Sequence, residues 1–316
     1  MHANINDLSM NKINKRNYYW PYIFLAPYFI MYFLFGLFPI LFSLIISFTS
    51  WDGIGEIKFV GFKNYIQLFT SDPYFLKSIN NTILLMLGYI PLLLTIGLLL
   101  AAGLHGRYIK FKRFFQLANF MPYITTPVAI GLMFALMFDY KTGMINRIIT
   151  QFGLYDQNIY WLGNPSYARL VVILMVFWKY AGYHMVIYMA GLSNIPIELY
   201  EAAKVDGASA VQTFFRITVP SLKSVIMFLL ITDIIGGFQL VEEPMLLFTG
   251  MSDTIGQVGG PERSCLTAIW NLYDTAFGSS MRYGLGASIA YGTFMFILLF
   301  SILGFKIFKP RDGLVS

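Results

Sequence analysis

Tyr200 to Pro220 reads Tyr-Glu-Ala-Ala-Lys-Val-Asp-Gly-Ala-Ser-Ala-Val-Gln-Thr-Phe-Phe-Arg-Ile-Thr-Val-Pro. This polar run lies between two long apolar stretches, and its punctuation predicts two short helices joined at a glycine. Pro196 suits the first turn of the leading helix, where its missing N–H costs nothing. Glu198 and Glu201 complement the positive end of that helix. Gly207 can take the left-handed conformation that stops it. Ser209 with Gln212 forms a Ser-x-x-Gln box that starts a second helix, and Pro220 limits it.

Composition explains the flanks. The chain is 57% hydrophobic and 12% charged, with a mean hydropathy of +0.63. Soluble domains carry about 25% charged residues. With so few polar side chains to solvate a surface, lipid must replace water around much of it. The single cysteine, Cys265, rules out an internal disulfide and a cysteine-cluster metal site. His2, His105 and His184 stand far apart and form no zinc pattern. The sequence has no G-x-x-x-x-G-K-[ST] loop to cradle ATP phosphates, no G-x-S-x-G elbow and no H-E-x-x-H helix.

Six stretches are long and apolar enough to cross a bilayer, which takes about 20 helical residues. They are Asn17 to Trp51, Ser78 to Gly106, Phe114 to Phe138, Ala168 to Leu192, Leu222 to Leu247 and Tyr283 to Phe305. The fourth is interrupted by Lys179, the fifth by Asp233, Glu242 and Glu243. All are too long and too uniformly apolar for barrel strands of about 10 residues. They read as helices, which satisfy their own backbone hydrogen bonds in lipid. The first exceeds a signal-peptide core of about 7–15 residues and lacks a clear cleavage site. It reads as a retained helix, bent near Pro27 or Pro39.

Lys and Arg in the loops set the orientation. One side carries thirteen of them, around positions 12–16, 107–113, 204–223 and 306–311; the other carries seven. The richer side is expected to be cytoplasmic, with both termini and the 193–221 loop inside. Orientation accounts for the net charge of +6, so no nucleic-acid partner is needed. The expected fold is an all-α membrane protein with six transmembrane helices. Its polar tails are 1–16 and 309–316, and its transmembrane domain is 17–308.

Lys179 and Asp233 are the most informative side chains within the spans. A charge at the bilayer centre costs about 2.5–3.5 kcal/mol on insertion scales. Counted from the inner edge at about 1.5 Å per residue, Lys179 lies roughly 21 Å up and Asp233 roughly 18 Å up. Both are expected to face the interior, where they either pair or line a solute path. Around them lie Trp178, Tyr180, Tyr183 and His184 on the fourth helix. Gly236, Gly237, Gln239, Glu242 and Glu243 belong to the fifth. Aromatic faces suit the C–H patches of sugars and planar polar groups suit their hydroxyls. Gly236 and Gly237 would let a ligand or a neighbouring helix approach the backbone closely.

The series Glu201, Ala202, Ala203, Asp206, Gly207, Ala208, Ile217 and Pro220 closely resembles the EAA loop of binding-protein-dependent ABC importers. In that family Glu-Ala-Ala, Asp-Gly-Ala, a hydrophobic residue and a terminal proline recur at this spacing; Val219 stands where Leu is commoner. Phe59-Val60-Gly61-Phe62-Lys63-Asn64-Tyr65, Phe120-Met121-Pro122-Tyr123, Gly143-Met144-Ile145-Asn146 and Trp161-Leu162-Gly163 are similar to phrases of sugar-type permeases. The resemblance runs from Trp20 to Phe308. It departs after the fifth helix, where Met251 to Val258 separate Thr249-Gly250 from a Gly259-Gly260-Pro261 turn that usually follows directly.

The resemblance implies a permease subunit of a carbohydrate-type importer in a bacterial-type cytoplasmic membrane. It implies a second, related permease, two separate ATPase subunits and an extracytoplasmic sugar-binding protein as partners. ATP and Mg would sit on the ATPase, leaving this chain without a cofactor or a catalytic residue. Glu201 would anchor the loop by its charge, Gly207 would shape the bend, and the alanines would permit close packing. Lys179, Tyr180, Tyr183, Asp233, Gly236, Gly237, Gln239 and Glu242 would line the substrate path. Two rivals leave the EAA series unexplained. One is a secondary transporter with Lys179 and Asp233 as an ion relay. The other is a membrane enzyme using Glu242 and Glu243, whose side chains would point about 100° apart on one helix. A glycerol-phosphate-type substrate would favour a cationic lining, whereas Asp233, Glu242 and Glu243 favour a neutral sugar.

Overall fold

A computed structural model describes residues 19–105, 110–249 and 258–308. Both predicted tails and most of the Met251 to Val258 insertion lie outside them. Every element among the described residues is helical, apart from one isolated β-bridge between Thr49 and Phe59.

The chain opens with α1 (Trp20–Tyr32), a π-helical turn (Phe33–Leu37) and α2 (Phe38–Ile46), one apolar rod of 27 residues. The irregular turn falls between the two prolines at which a bend was expected. Pro27 rides inside α1, and Pro39 is the second residue of α2, directly after the π-helical turn. After α3 (Lys63–Thr70) comes α4 (Phe75–His105). Then α5 (Lys112–Ile124) and α6 (Pro127–Met137) meet at 96°. The sequence reads Phe114 to Phe138 as one span; the structure breaks it. Thr126 is extended at φ −62°, ψ 139°, the conformation a following proline imposes.

Beyond α7 (Met144–Gln151), α8 (Pro165–Ser193) begins three residues before the expected start. Asn164 caps it, its side-chain oxygen accepting from the backbone N–H of Ser166 and Tyr167. The polar run then folds as α9 (Ile197–Val205), α10 (Ala210–Thr213), a π-helical turn (Phe214–Thr218) and α11 (Val219–Ser221). Gly207 stands between the arms at φ +73°, a value that favours glycine. The capping box is closed both ways. Gln212 N–H donates to Ser209 Oγ at 3.3 Å, and Ser209 N–H donates to Gln212 Oε1 at 2.8 Å. Two boundaries differ from expectation by a residue or two. Pro196 precedes the first helical residue, and Pro220 lies within α11, the helix yielding only at Leu222.

There the chain turns by 63° into α12 (Lys223–Phe238). The sequence continues this helix to Leu247. The structure ends it at Gln239 and starts α13 (Glu242–Thr249), which packs on α6. Two more helices follow, α14 (Ala268–Phe277) and α15 (Tyr283–Phe308). α14 was not foreseen. Thr267 caps it, its hydroxyl accepting from Trp270 N–H. By length and apolarity four helices can cross a membrane: the α1–α2 rod, α4, α8 and α15. The α5–α6 pair and the α10–α12 pair bring the number to six if each bent pair counts as one span.

The centre of the molecule is α4 laid against α8, with α12, α14 and α15 alongside. Leu85 and Leu93 of α4 and Met175 and Met185 of α8 are buried there. Lipid is as apolar as these side chains, so close packing and polar staples hold the helices together rather than expulsion of water. One staple joins α4, α8 and the turn before α14. Arg169 Nε donates to Ser264 O at 3.0 Å and Nη2 to Asn81 Oδ1 at 3.3 Å, while Asn81 Nδ2 donates to Arg263 O at 2.8 Å. Thr82 Oγ1 accepts from Ala268 N–H at 3.0 Å.

Candidate functional site

α8 places Lys179, Tyr180, Tyr183 and His184 within two turns of one helix. Their partners come from two other elements. Lys179 Nζ donates to Glu243 Oε1 of α13 at 2.6 Å, and the Tyr180 hydroxyl donates to the same oxygen at 3.1 Å. Asp233 of α12 instead faces His184, with Oδ2 3.0 Å from Nε2. Lys179 and Asp233 therefore do not pair. Two separate pairs form, and the break between α12 and α13 is the reason. It swings Glu243 back towards α8, where a continuous fifth helix would have carried it away.

The imidazole geometry constrains its protons. His184 Nδ1 lies 3.0 Å from the carbonyl oxygen of Tyr180. A carbonyl only accepts, so Nδ1 carries a proton. The contact from Nε2 to Asp233 then holds one proton between two groups. Either assignment leaves the pair neutral in sum. Gly97 of α4 makes room for the ring: a methyl group there would stand 2.6 Å from His184 Cβ.

Asp233 opens on a cavity of about 180 Å³. Its lining includes Tyr89, Tyr123, Tyr180, Tyr183, Asp233 and Gly236. Tyr123 of α5 stacks on Tyr183, ring centres 4.9 Å apart, and meets Tyr180 edge-on at 5.8 Å. The space is smaller than the roughly 300–1,000 Å³ of a complete ligand site, so it fits part of a ligand. Its aromatic walls offer faces to C–H groups and its carboxylate offers an acceptor to hydroxyls. The two glycines differ. Nothing lies within 4 Å of a Cβ added at Gly236, which borders the open space. A Cβ at Gly237 would lie 2.5 Å from the Tyr89 hydroxyl oxygen and 2.7 Å from Met86 Cγ.

Of the expected path residues, Tyr180, Tyr183, Asp233, Gly236 and Gly237 gather at this cavity. Lys179 is sealed behind Tyr180. Gln239 and Glu242 fall at the α12–α13 break, are exposed and do not line this cavity. Glu243, adjacent to Glu242, is the buried carboxylate. Tyr89 and Tyr123 were missed as lining residues. Tyr123 had a signal, since Pro122 and Pro127 mark a bend at which its helix face turns inward. Tyr89 had none, being one aromatic in a long apolar stretch.

In the hairpin, Glu201, Ala202, Asp206 and Gly207 are exposed, Ala208 is half-buried and Ala203 is buried. Tyr200 Oη and Thr218 Oγ1, 3.2 Å apart, tie the two arms. Ile197, Leu199, Val205, Val211 and Phe215 stand exposed on the same hairpin.

Residues 93–308 match the family described as "Binding-protein-dependent transport system inner membrane component". The chain is 32% identical over 290 residues to the lactose transport system permease protein LacF of Rhizobium radiobacter, covering 92% of this chain and 94% of that protein. It is 34% identical over 294 residues to the arabinooligosaccharides transport system permease protein AraP of Bacillus subtilis strain 168, covering 93% and 90%. In fold it resembles a chain of a bacterial ABC transporter involved in the import of the acidic polysaccharide alginate, with a TM-score of 0.78 at 22% identity over 95% of this chain and 98% of that one. A second solved structure, of a bacterial alginate ABC transporter in complex with alginate pentasaccharide-bound periplasmic protein, gives a TM-score of 0.78 at 22% identity over 93% and 95%.

Proposed function

The chain belongs to the family of binding-protein-dependent transport system inner membrane components, and from that premise we propose that it is the permease subunit of an ATP-driven sugar importer. Its cargo is a sugar, most simply an oligosaccharide, delivered by an extracytoplasmic binding protein to the aromatic cavity at Asp233. A second permease completes the path, and two ATPase subunits, which hold ATP and Mg, grip the hairpin of each permease from the cytoplasm. The observation that carries this reading is the joint placement of the cavity and the hairpin on one helix. α12 bears Asp233, Gly236 and Gly237 and follows the hairpin with only Leu222 between.

The hairpin fits a docking role by its chemistry. Exposed apolar side chains beside Glu201 and Asp206 form a mixed patch that a protein cleft can cover. Gly207 fixes the angle between the arms. ATP draws the ATPase subunits together, the hairpins follow, and the helices rock between inward-open and outward-open states. Relatives named for lactose and arabinooligosaccharides support the choice of sugar.

Uptake by cells carrying Asp233→Asn, with surface expression matched, tests the cavity. Loss of uptake is expected; normal uptake would remove Asp233 from the path. Replacing Gly207 by Val tests the hairpin. Co-purification of the ATPase at wild-type levels with full uptake would contradict the coupling role. Uptake that followed an ion gradient and ignored ATP would favour a secondary transporter.

A further inference from the structure

If the cavity at Asp233 binds sugar as proposed above, its lining also decides which sugars it takes. Lys179 lies near the cavity and His184 lines it, and both are already paired with a carboxyl group. Lys179 Nζ is buried on Glu243 at 2.6 Å, on the far side of Tyr180. His184 is buried with one ring nitrogen on the Tyr180 carbonyl and the other on Asp233. Among the described residues, no Lys or Arg lines the cavity. Its polar surface is tyrosine hydroxyls, Thr232, the paired His184 and the Asp233 carboxyl group, which accepts through the oxygen that His184 leaves over.

We propose that the His184–Asp233 pair, neutral in sum and with no free cation beside it, makes this chain's side of the path a charge filter that admits uncharged glycans and turns away carboxylate-bearing ones. A carboxylate leaving water needs a cation or several donors to replace its hydration. Here it would meet a His184–Asp233 pair that is neutral in sum and no uncommitted cation. An uncharged sugar loses little, because its hydroxyls can donate to Asp233 and its C–H faces can lie on Tyr123 and Tyr183. The same fold serves the import of an acidic polysaccharide in the alginate transporter. The backbone therefore does not set the preference, and the side chains of the lining must.

The test is ligand-observed saturation-transfer NMR on the full chain with its partner subunits in lipid nanodiscs, without binding protein, near neutral pH. The probes are maltotriose and trigalacturonate. Gly236→Trp fills the cavity and identifies the signal that comes from it. Trigalacturonate is expected to bind at least about tenfold more weakly than maltotriose, a gap of about 1.4 kcal/mol. Asp233→Asn should narrow the gap to about threefold or less, since the amide no longer balances a protonated His184 and the imidazole can then offset the carboxylate of the ligand. Thr232→Lys, at an exposed position on the cavity wall, should narrow it as well and decides the matter if the Asn variant folds poorly. Equal binding of both probes to the wild-type protein, or a gap that Thr232→Lys leaves unchanged, overturns the filter and leaves the sugar site standing. If neither probe gives a signal sensitive to Gly236→Trp, the sugar site and the filter fall together.

Discussion

Lys179–Glu243 and His184–Asp233 leave the same helix little more than one turn apart, yet they are built differently. The first joins α8 to α13, and its side chains are 7% and 6% exposed. The second joins α8 to α12, and while His184 is 1% exposed, Asp233 is 11% exposed and borders the cavity. Glu243 has both Lys179 and Tyr180 on one oxygen, so its contacts all point into the protein. Asp233 has one protein partner and an open side. A polar group whose partners are all internal holds the framework, and one left half-satisfied at an opening is available to a ligand.

The largest effect should come from breaking the sealed pair on one side only. Lys179→Met leaves Glu243 buried without its cation and should cost about 3–5 kcal/mol, read as a fall in thermal stability of the purified protein. Lys179→Met with Glu243→Leu should recover most of it, because removing both charges removes the uncompensated one. A single variant as stable as wild type would end the framework reading.

His184→Ala should separate the two pairs. It should cost a smaller 1–3 kcal/mol or so in stability, since Asp233 can turn to water. Uptake should nevertheless fall about tenfold or more, as the loss of a hydrogen bond to an acidic group predicts. Full uptake would mean that Asp233 needs no support.

The adjacent glycines sharpen the contrast next. Gly237→Val meets Tyr89 and Met86 and should destabilise by about 1–3 kcal/mol through overpacking. Gly236→Val meets nothing, and should spare stability while lowering uptake. Melting temperatures that moved alike would show that the cavity is not open at Gly236. Ser209→Ala, remote from both pairs, should cost only about 1 kcal/mol as a lost helix cap; a larger loss would place the hairpin within the cooperative core.

What the sequence disclosed depended on range. Gly207, the Ser209–Gln212 box and the polar hairpin were legible because their interactions close within four residues. The long apolar stretches were legible because length and composition alone decide them. The partner of Lys179 was not. It depends on α12 ending at Gln239, in a stretch with no proline until Pro244. Depth alone matched Lys179 to Asp233, and depth cannot tell which face of a helix a side chain takes. The break before Pro127 was readable from the extended preference of Thr126, but uniform apolarity outweighed it. Asn164-Pro165 likewise announced the start of α8, and Arg169 then sat inside a stretch read as continuing without charge until Lys179. Its partners, Ser264 and Asn81, lie 95 and 88 residues away, beyond any local pattern.

The single residue Leu222 between the hairpin and α12 has a geometric consequence. Asp233 lies eleven residues further along, a radius of roughly 16 Å at the helical rise. Swinging α12 about that pivot by about 10° would carry the carboxylate roughly 3 Å, the full length of its bond to His184, and no hydrogen bond spans such a gap. On the proposed mechanism, grip on the cargo and the stroke of the machine are then one coordinate: the hand cannot stay closed while the arm moves.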